Sequence, residues 1–336
     1  MNVLRYTKAD ELLKIGIILF EVMFFWGLSS ENSAAQTCSC AGPPLLSSQD
    51  IASTTRGNLL TVLTFDFHNI SNLYSGSEKL TNRSFHRYTG SFLLEADYGI
   101  TNKLTFISML SYVHKERETF HRGVNTVSNV TTNGLGDASL ILRYTLHKNR
   151  FGQQYEITAG GGVHIPTGES RQESADGIQY QADMQPGTGA WGGILWAHAS
   201  KTFLPASTIN AFAILTYQFN GSNDRYRNSY MDYHFGNFLI GTLGLSNKFG
   251  KGFQYTAILR YRNVRHDEIN GNDVATTGGR WFSVAPGINY QINNRWTARL
   301  SGQIPVYQYV NNTQPTTRFT TSVSLFYSFK KNPFSF

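Results

Sequence analysis

The chain has 336 residues, a formal net charge of +7, a charged fraction of only 15 %, and 31 glycines, 23 phenylalanines and 18 tyrosines against two cysteines. Its basic residues are scattered and adjoin only at Lys330–Lys331, so no basic stripe exists for a nucleic-acid partner. Two cysteines also exclude a disulfide-built scaffold.

In chain order, the first segment carries Arg5, Lys8 and Lys14 ahead of an apolar run over 15–28, then small residues at Ser33 and Ala35. This pattern predicts a secretory signal peptide over 1–35, with Gln36 the first mature residue and Glu21 an interruption in the run. Residues 36–52 are expected as a periplasmic tail or plug. Within it, Cys38 and Cys40 admit lipid attachment, a soft-metal pair or an oxidised or partnerless pair in an oxidising compartment; the last reading is taken. No other stretch supplies the ~20 apolar residues of a membrane helix, so an exported chain that crosses a membrane must do so with strands.

From 53 to 330 apolar and polar residues alternate. In 296–310, Trp296, Ala298, Leu300, Ile304 and Val306 alternate with Thr297, Arg299, Ser301, Gln303 and Tyr307. Phe319, Val323, Leu325, Tyr327 and Phe329 do the same near the end. Side chains alternate across a strand, giving each stretch one greasy and one wet face. With Gly, Thr and aromatics so abundant, the greasy face is expected toward lipid and the wet face toward a lumen.

Twelve strands are expected, near 54–68, 83–98, 103–117, 134–146, 154–166, 188–203, 207–220, 235–249, 253–266, 279–292, 296–310 and 317–329. The fold class is therefore all-β, a transmembrane antiparallel up-and-down β-barrel, with fourteen strands as the alternative. Short connections at 99–102, 147–153, 204–206, 250–252 and 293–295 alternate with long ones at 69–82, 118–133, 167–187, 221–234, 267–278 and 311–316. Short periplasmic turns and long outer loops are the outer-membrane pattern. Two three-residue turns test the register: Phe249 should face Phe253, and Ile292 should face Trp296, with Gly or Asn in the left-handed position. Residues 331–336 form a short C-terminal tail, and the aromatic last strand suits recognition by barrel-assembly machinery.

The segments 94–113, "GLGDASLILRYTL" at 134–146, "ITAGGGVHIPTGES" at 157–170 and 185–203 come in a familiar order. Over roughly 90–330 the chain resembles the outer-membrane barrels grouped under the meta-pathway of phenol degradation. The resemblance implies a bacterial outer-membrane barrel that transports small, often aromatic, compounds, and it brings no catalytic residues with it. The front segment "TCSCAGPPLL" at 37–46 departs from that pattern.

The wet faces predict the lumen. They hold Arg87, Glu95 and Asp97 on the second strand, Asp137 and Arg143 on the fourth, and Glu156 and His164 on the fifth. Arg260 and Arg262 come from the ninth, Arg299 from the eleventh and Arg318 from the twelfth. Arg143 and Glu156 are expected as a cross-strand pair near the periplasmic end. Arg260, Arg262, Arg299 and Arg318 would form a basic wall facing Glu95, Asp97 and Asp137, a field that selects solutes. The competing reading is that a narrow lumen simply pairs its charges for structure. Leu60, Val62, Ile141, Phe212, Ile214 and Trp281 interrupt the polar faces, as a greasy path or as lumen filling.

The acidic loop 167–185, with Glu169, Glu173, Asp176 and Asp183, admits an inward constriction or a calcium site. It is read here as a solvated surface loop. The nine histidines are scattered singly, no serine–histidine pair stands out, and "GGG" at 160–162 is read as close packing rather than a phosphate loop. The expected function is passive movement of small solutes, organic acids or aromatic compounds, through an outer-membrane channel with no cofactor or metal. The alternatives are a non-conducting surface-binding barrel and an outer-membrane lipid hydrolase.

Overall fold

The structure, a computed structural model, describes residues 54–81, 85–121, 126–149, 154–203, 209–227 and 230–329. The expected signal peptide, the tail with Cys38 and Cys40, and the terminal 331–336 lie outside these residues.

Twelve antiparallel strands close a barrel. In chain order they are β1 (Leu59–Ile70), β2 (Phe85–Gly99), β3 (Leu104–His121), β4 (Ala138–Asn149), β5 (Gln154–Ile165) and β6 (Gly192–Thr202). They continue with β7 (Asn210–Asn220), β8 (Phe238–Phe249), β9 (Phe253–Val264), β10 (Gly279–Gln291), β11 (Trp296–Thr316) and β12 (Phe319–Ser328). Each pairs with its chain neighbour, and β12 returns to β1 through partners running from Leu60 opposite Ser328 to Asn69 opposite Phe319. Closure removes every free edge, which a strand-built membrane span requires.

Burial is inverted relative to a soluble barrel. Leu243 on β8 is 60 % exposed and Val306 on β11 62 %, while Glu95 and Asp97 on β2 are wholly buried. The greasy face points out and the wet face in. At the short-turn end an aromatic girdle runs around the wall, with ring centroids 5.6 Å apart for Phe249–Phe253, 4.5 Å for Phe253–Tyr290 and 4.5 Å for Trp296–Tyr327.

The turn over 250–252 follows expectation: Phe249 lies opposite Phe253, and Gly250 and Gly252 take φ of 59° and 82°. At 293–295 the hairpin forms differently. Asn293 is not left-handed; its side-chain oxygen accepts the N–H groups of Arg295 at 2.8 Å and Trp296 at 3.0 Å. An Asx turn thus replaces the left-handed residue.

The expected Arg143–Glu156 pair is corrected. β4 continues to Asn149, which pairs with Tyr155, so the hairpin centre lies two to three residues beyond the expected 149–150; a bulge between Thr145 and His147 takes back one residue, and Lys148 faces Glu156 while Arg143 faces Gly160. Lys148 and Glu156 form the ion pair, and Arg143 Nη2 instead lies 3.7 Å from Asp97 Oδ2 across β3.

Apolar side chains fill much of the interior. One cluster joins Leu93, Ile107, Met109, Ile141, Trp196 and Phe212, with Ile194, Ile214 and Ile258, across six strands. A second gathers Ile70, Phe238, Ile240, Val264, Trp281 and Val310, and a third Leu60, Val62 and Phe326. Two glycines make this filling fit. Gly160 sits in register between Arg143 and Trp196, and its missing side chain lets the guanidinium lie 5.7 Å from the Trp196 ring centroid. Gly244 sits between Phe212 and Ile258, and a Cβ there would fall 2.1 Å from the Phe212 ring. The close packing read into 160–162 has this geometry.

At the other end the long connections build upward. Strands Ser222–Tyr226, Met231–His234, Glu268–Ile269 and Asn272–Asp273 form a small sheet at the long-loop end, and Thr126–Leu135 extends β3. The connection over 166–191 divides: Glu169, Glu173 and Asp176 stay exposed, while the stretch from Gln179 turns inward, burying Gln179, Met184 and Gln185. The solvated-loop reading therefore holds for the first part and fails for the part that carries Asp183.

Candidate functional site

The inward loop is held by cations rising from the barrel wall. Arg87, on the inward face of β2, donates from Nη1 to Asp183 Oδ2 at 2.6 Å and from Nη2 to the Asp183 carbonyl at 2.6 Å. Lys115 on β3 donates to the carbonyls of Asp183 at 2.8 Å and Gln185 at 2.6 Å. Arg117, two residues further along the same face, reaches Gln181 Oε1 at 2.7 Å. The loop crosses here as a single 3-10 turn, Ala182–Met184. Gln185 knits it together, accepting from the Gln172 N–H and donating to the carbonyls of Gln172 and Tyr180.

Asp137 clamps the loop's two ends. It precedes β4, and its carboxylate accepts the Gly168 N–H at 2.8 Å and both the N–H and hydroxyl of Thr188 at 2.6 Å. His164 Nε2 lies 3.2 Å from the same carboxylate, and His164 Nδ1 lies 3.1 Å from Ser139 Oγ. Burial pushes the Asp137 carboxyl up, but the hydrogen bonds from His164 and Thr188 outweigh it and hold the group below the usual carboxylate range.

The roof comes from the small four-stranded sheet. Tyr226, Tyr233 and Phe235 pack ring on ring at 5.0 and 4.8 Å. The Tyr233 hydroxyl donates to Asp267 Oδ2 at 2.7 Å, and the Gly236 N–H to Asp267 Oδ1 at 2.8 Å. Burial holds the Asp267 carboxyl above its usual range despite those two bonds, and burial beside Asp267 raises the Tyr233 hydroxyl as well.

Loop, roof and wall enclose a chamber of about 160 Å³, bordered by Arg87, Lys115, Asp137, Asp183, Arg262 and Asp267 together with Val113, Phe235, Phe238 and Val264. The Arg262 guanidinium carbon lies over two rings, 5.8 Å from the Phe238 centroid and 5.5 Å from that of Trp281. The arrangement offers a small solute apolar ring surface on one side and charged groups of both signs on the other.

Of the residues expected to line the lumen, Arg87, Asp137, His164 and Arg262 meet at this chamber. The others lie elsewhere in the interior. Glu95 and Asp97 are buried on β2. Arg143 spans from Asp97 to Trp196, and Glu156 is paired with Lys148. Arg260 donates to Gln303, and Arg299 donates to Asn289 at 2.6 Å while lying 5.0 Å from the Phe326 centroid. Arg318 stands in the β11–β12 hairpin, its backbone N–H on the Asn69 carbonyl at 2.8 Å. Sequence reasoning missed Lys115, Asp183 and Asp267 as members of one site. Lys115 was within reach, since it falls in phase with Ser111 and Val113 on an expected strand.

Ser139, His164 and Asp137 stand in hydrogen-bonded line, the order a hydrolase uses. Ser139, however, does not border the chamber, and Asp137, the partner of His164, is already occupied holding the loop.

Residues 85–325 match the family described as "Putative MetA-pathway of phenol degradation". Among solved structures, an outer membrane channel from Pseudomonas putida F1 superposes with a TM-score of 0.67 at 14 % identity, covering 83 % of this chain and 98 % of that one. The β domain of the Bordetella autotransporter BrkA reaches 0.47 at 14 % identity, covering 81 % and 100 %. The first likeness is one of fold. No curated protein matches the chain.

Proposed function

The chain belongs to the MetA-pathway phenol-degradation family, and from that premise we propose that it is a passive bacterial outer-membrane channel for small organic acids and aromatic compounds. The solved Pseudomonas relative is called an outer membrane channel, and the same class of work is assigned here. The chamber beneath the inward loop is the observation that carries the reading. Its volume of about 160 Å³ is close to the ~150 Å³ apolar cavity that holds one benzene. A ring-sized solute fits against Phe238, Phe235 and Val264, and Arg262 meets an acid group on that ring. Arg260 and Arg299, further along the interior, extend the basic side and favour anions. No residue acts as a catalyst; the loop admits the solute and the lining sorts it.

A non-conducting barrel is the second reading, favoured by the apolar cluster that joins six strands across the interior. One experiment separates the two. The refolded protein is placed in a planar bilayer under a salt gradient, with benzoate added as a blocking solute. Anion-selective openings that benzoate interrupts support the channel. A folded, inserted barrel that neither conducts nor admits benzoate into liposomes leaves the structural reading.

A further inference from the structure

The short-turn end of the barrel is lopsided in charge. Lys103 follows the β2–β3 turn, Lys201 lies at the end of β6, Lys251 stands in the β8–β9 turn and Arg295 in the β10–β11 turn, and all four are exposed. The acids of this end, Asp97 and Glu156, are buried in the barrel beside Arg143 and Lys148. Among the described residues no exposed acid stands at this end. At the long-loop end the two signs mix instead, with Arg171 and Arg225 bordering one groove together with Glu169 and Asp224.

Their surroundings place three of these cations on the outer side of the wall, level with the aromatic girdle. The Arg295 guanidinium donates to the Tyr327 hydroxyl at 3.4 Å, and Tyr327 packs on Trp296 in phase with lipid-facing Val323 and Leu325. The Lys201 ammonium lies 5.2 Å from the ring centroid of Phe203, which is exposed and shares the outward phase of Leu195. Lys251 stands in the turn that joins the facing rings of Phe249 and Phe253. Girdle rings mark the depth at which hydrocarbon gives way to headgroups, and basic side chains beside them carry their charge into that layer. A cation serving the lumen would lean on inward-facing groups. These lean on rings that face lipid.

We propose that this rim gathers anionic phospholipids in the adjoining leaflet, their charged phosphates against Lys103, Lys201, Lys251 and Arg295 and their acyl chains along the apolar wall. The four cations come from different connections around the closed ring of strands, so they act as a belt and no single lipid has to meet them all. Such a belt enriches negative lipids through its field and is weakened by salt. An acidic protein would meet the same sign of charge, but it would approach from solvent and not from beside the rings.

The test uses the folded barrel in vesicles of phosphatidylethanolamine with a minor share of phosphatidylglycerol. Bromine is placed on the acyl chains of one lipid or the other, and quenching of tryptophan emission reports which lipid lies beside the reporter. Trp191→Phe leaves the outward-facing Trp296 at the short-turn end, and Trp296→Phe leaves the outward-facing Trp191 at the long-loop end. Per molecule, phosphatidylglycerol should quench Trp296 several times more strongly than phosphatidylethanolamine, with no such preference at Trp191. Salt at about 1 M, where the screening length falls to ~3 Å, should erase the preference. Lys251→Gln with Arg295→Gln should abolish it too, since each basic residue at an anionic surface is worth about a fivefold factor. Folding of the variants is checked by heat-modifiable gel mobility, and the salt series reads the parent rim unaltered. A preference that survives the double substitution or high salt, or that inorganic phosphate removes at constant ionic strength, would overturn the proposal. Equal quenching by the two lipids would also overturn it and leave the belt to an acidic protein. Conductance is not read in this assay, so its outcome and that of the channel test stand apart.

Discussion

Replacing Arg87 with Met tests whether the inward loop is a gate. Arg87 is buried and donates twice to Asp183, at 2.6 Å to the carboxylate and 2.6 Å to the carbonyl. Removing one partner of a buried ion pair costs about 3–5 kcal/mol. The separate route, two charge-assisted hydrogen bonds at about 1.5–3 kcal/mol each, gives a similar sum. At ~1.4 kcal/mol per factor of ten, the docked-to-released ratio of the loop should fall by two to three orders of magnitude. The barrel need not follow, because β2 stays laddered to β1 and β3 through its backbone. Arg87→Met should therefore give larger or longer-lived openings in single-channel records and faster tryptic cleavage after Arg171. Removing both partners, Arg87→Met with Asp183→Leu, should recover part of the loss, since no buried charge is then stranded. If folded Arg87→Met conducts like the parent and is cleaved at the same rate, the loop is not the gate and this reasoning is wrong.

Three further outcomes are expected. Gly244→Ala should force Phe212 off its rotamer, because the new Cβ would lie 2.1–2.5 Å from three ring atoms; overpacking of this kind costs about 1–3 kcal/mol. A lowered urea midpoint that is relieved by adding Phe212→Ala would confirm it, and an unchanged midpoint would refute it. Arg260→Ser with Arg299→Ser should move the reversal potential toward cations, and an unmoved potential would remove both arginines from the conducting path. The Asp267 carboxyl is raised above its unfolded value of ~3.9. Its contribution is thus full below that value and is lost as pH rises through the raised one. Amide exchange at 233–236, corrected for its intrinsic pH dependence, should be slower near pH 4 than near pH 7, and Asp267→Asn should flatten the difference.

The strands were legible because alternation and turn chemistry agree. Leu243, Leu245 and Phe249 share an outward phase with Phe253 and Leu259, which excludes any odd slip, and the three-residue turn over 250–252 selects among the rest. The error at Arg143 has a definite source. The strands run further than the expected turn at 149–150 allows, with Asn149 opposite Tyr155, and a period-of-two pattern does not mark where a hairpin turns; the bulge between Thr145 and His147 changes the pairing by only one residue more. The inward loop was illegible for another reason. Its polar composition suits solvent as well as a polar lumen, and the partners that decide between them, Arg87 and Lys115, are supplied by β2 and β3, far off in sequence. Gly160 is intermediate: tight packing could be read from the glycine run, but not that it clears a line from Arg143 to Trp196.

The two fillings of the interior differ in what it takes to move them, and that difference argues for where control resides. The apolar cluster around Trp196 is pinned by side chains from six neighbouring strands and by the Arg143 guanidinium over Gly160. Its members can change rotamer only together, because close-packed neighbours leave no slack. The loop over 166–191 is attached through polar contacts, among them those of Arg87, Lys115, Arg117, Thr132 and Asp137, the Glu169 N–H on the Leu135 carbonyl, and the Arg227 N–H on Gln179. Breaking those contacts exposes polar groups that water satisfies at once, whereas opening the apolar cluster exposes groups that water does not. The loop is therefore the low-energy element, and under the proposed function the apolar cluster is the part of the path that a solute with its own ring surface would cross more readily than a hydrated ion.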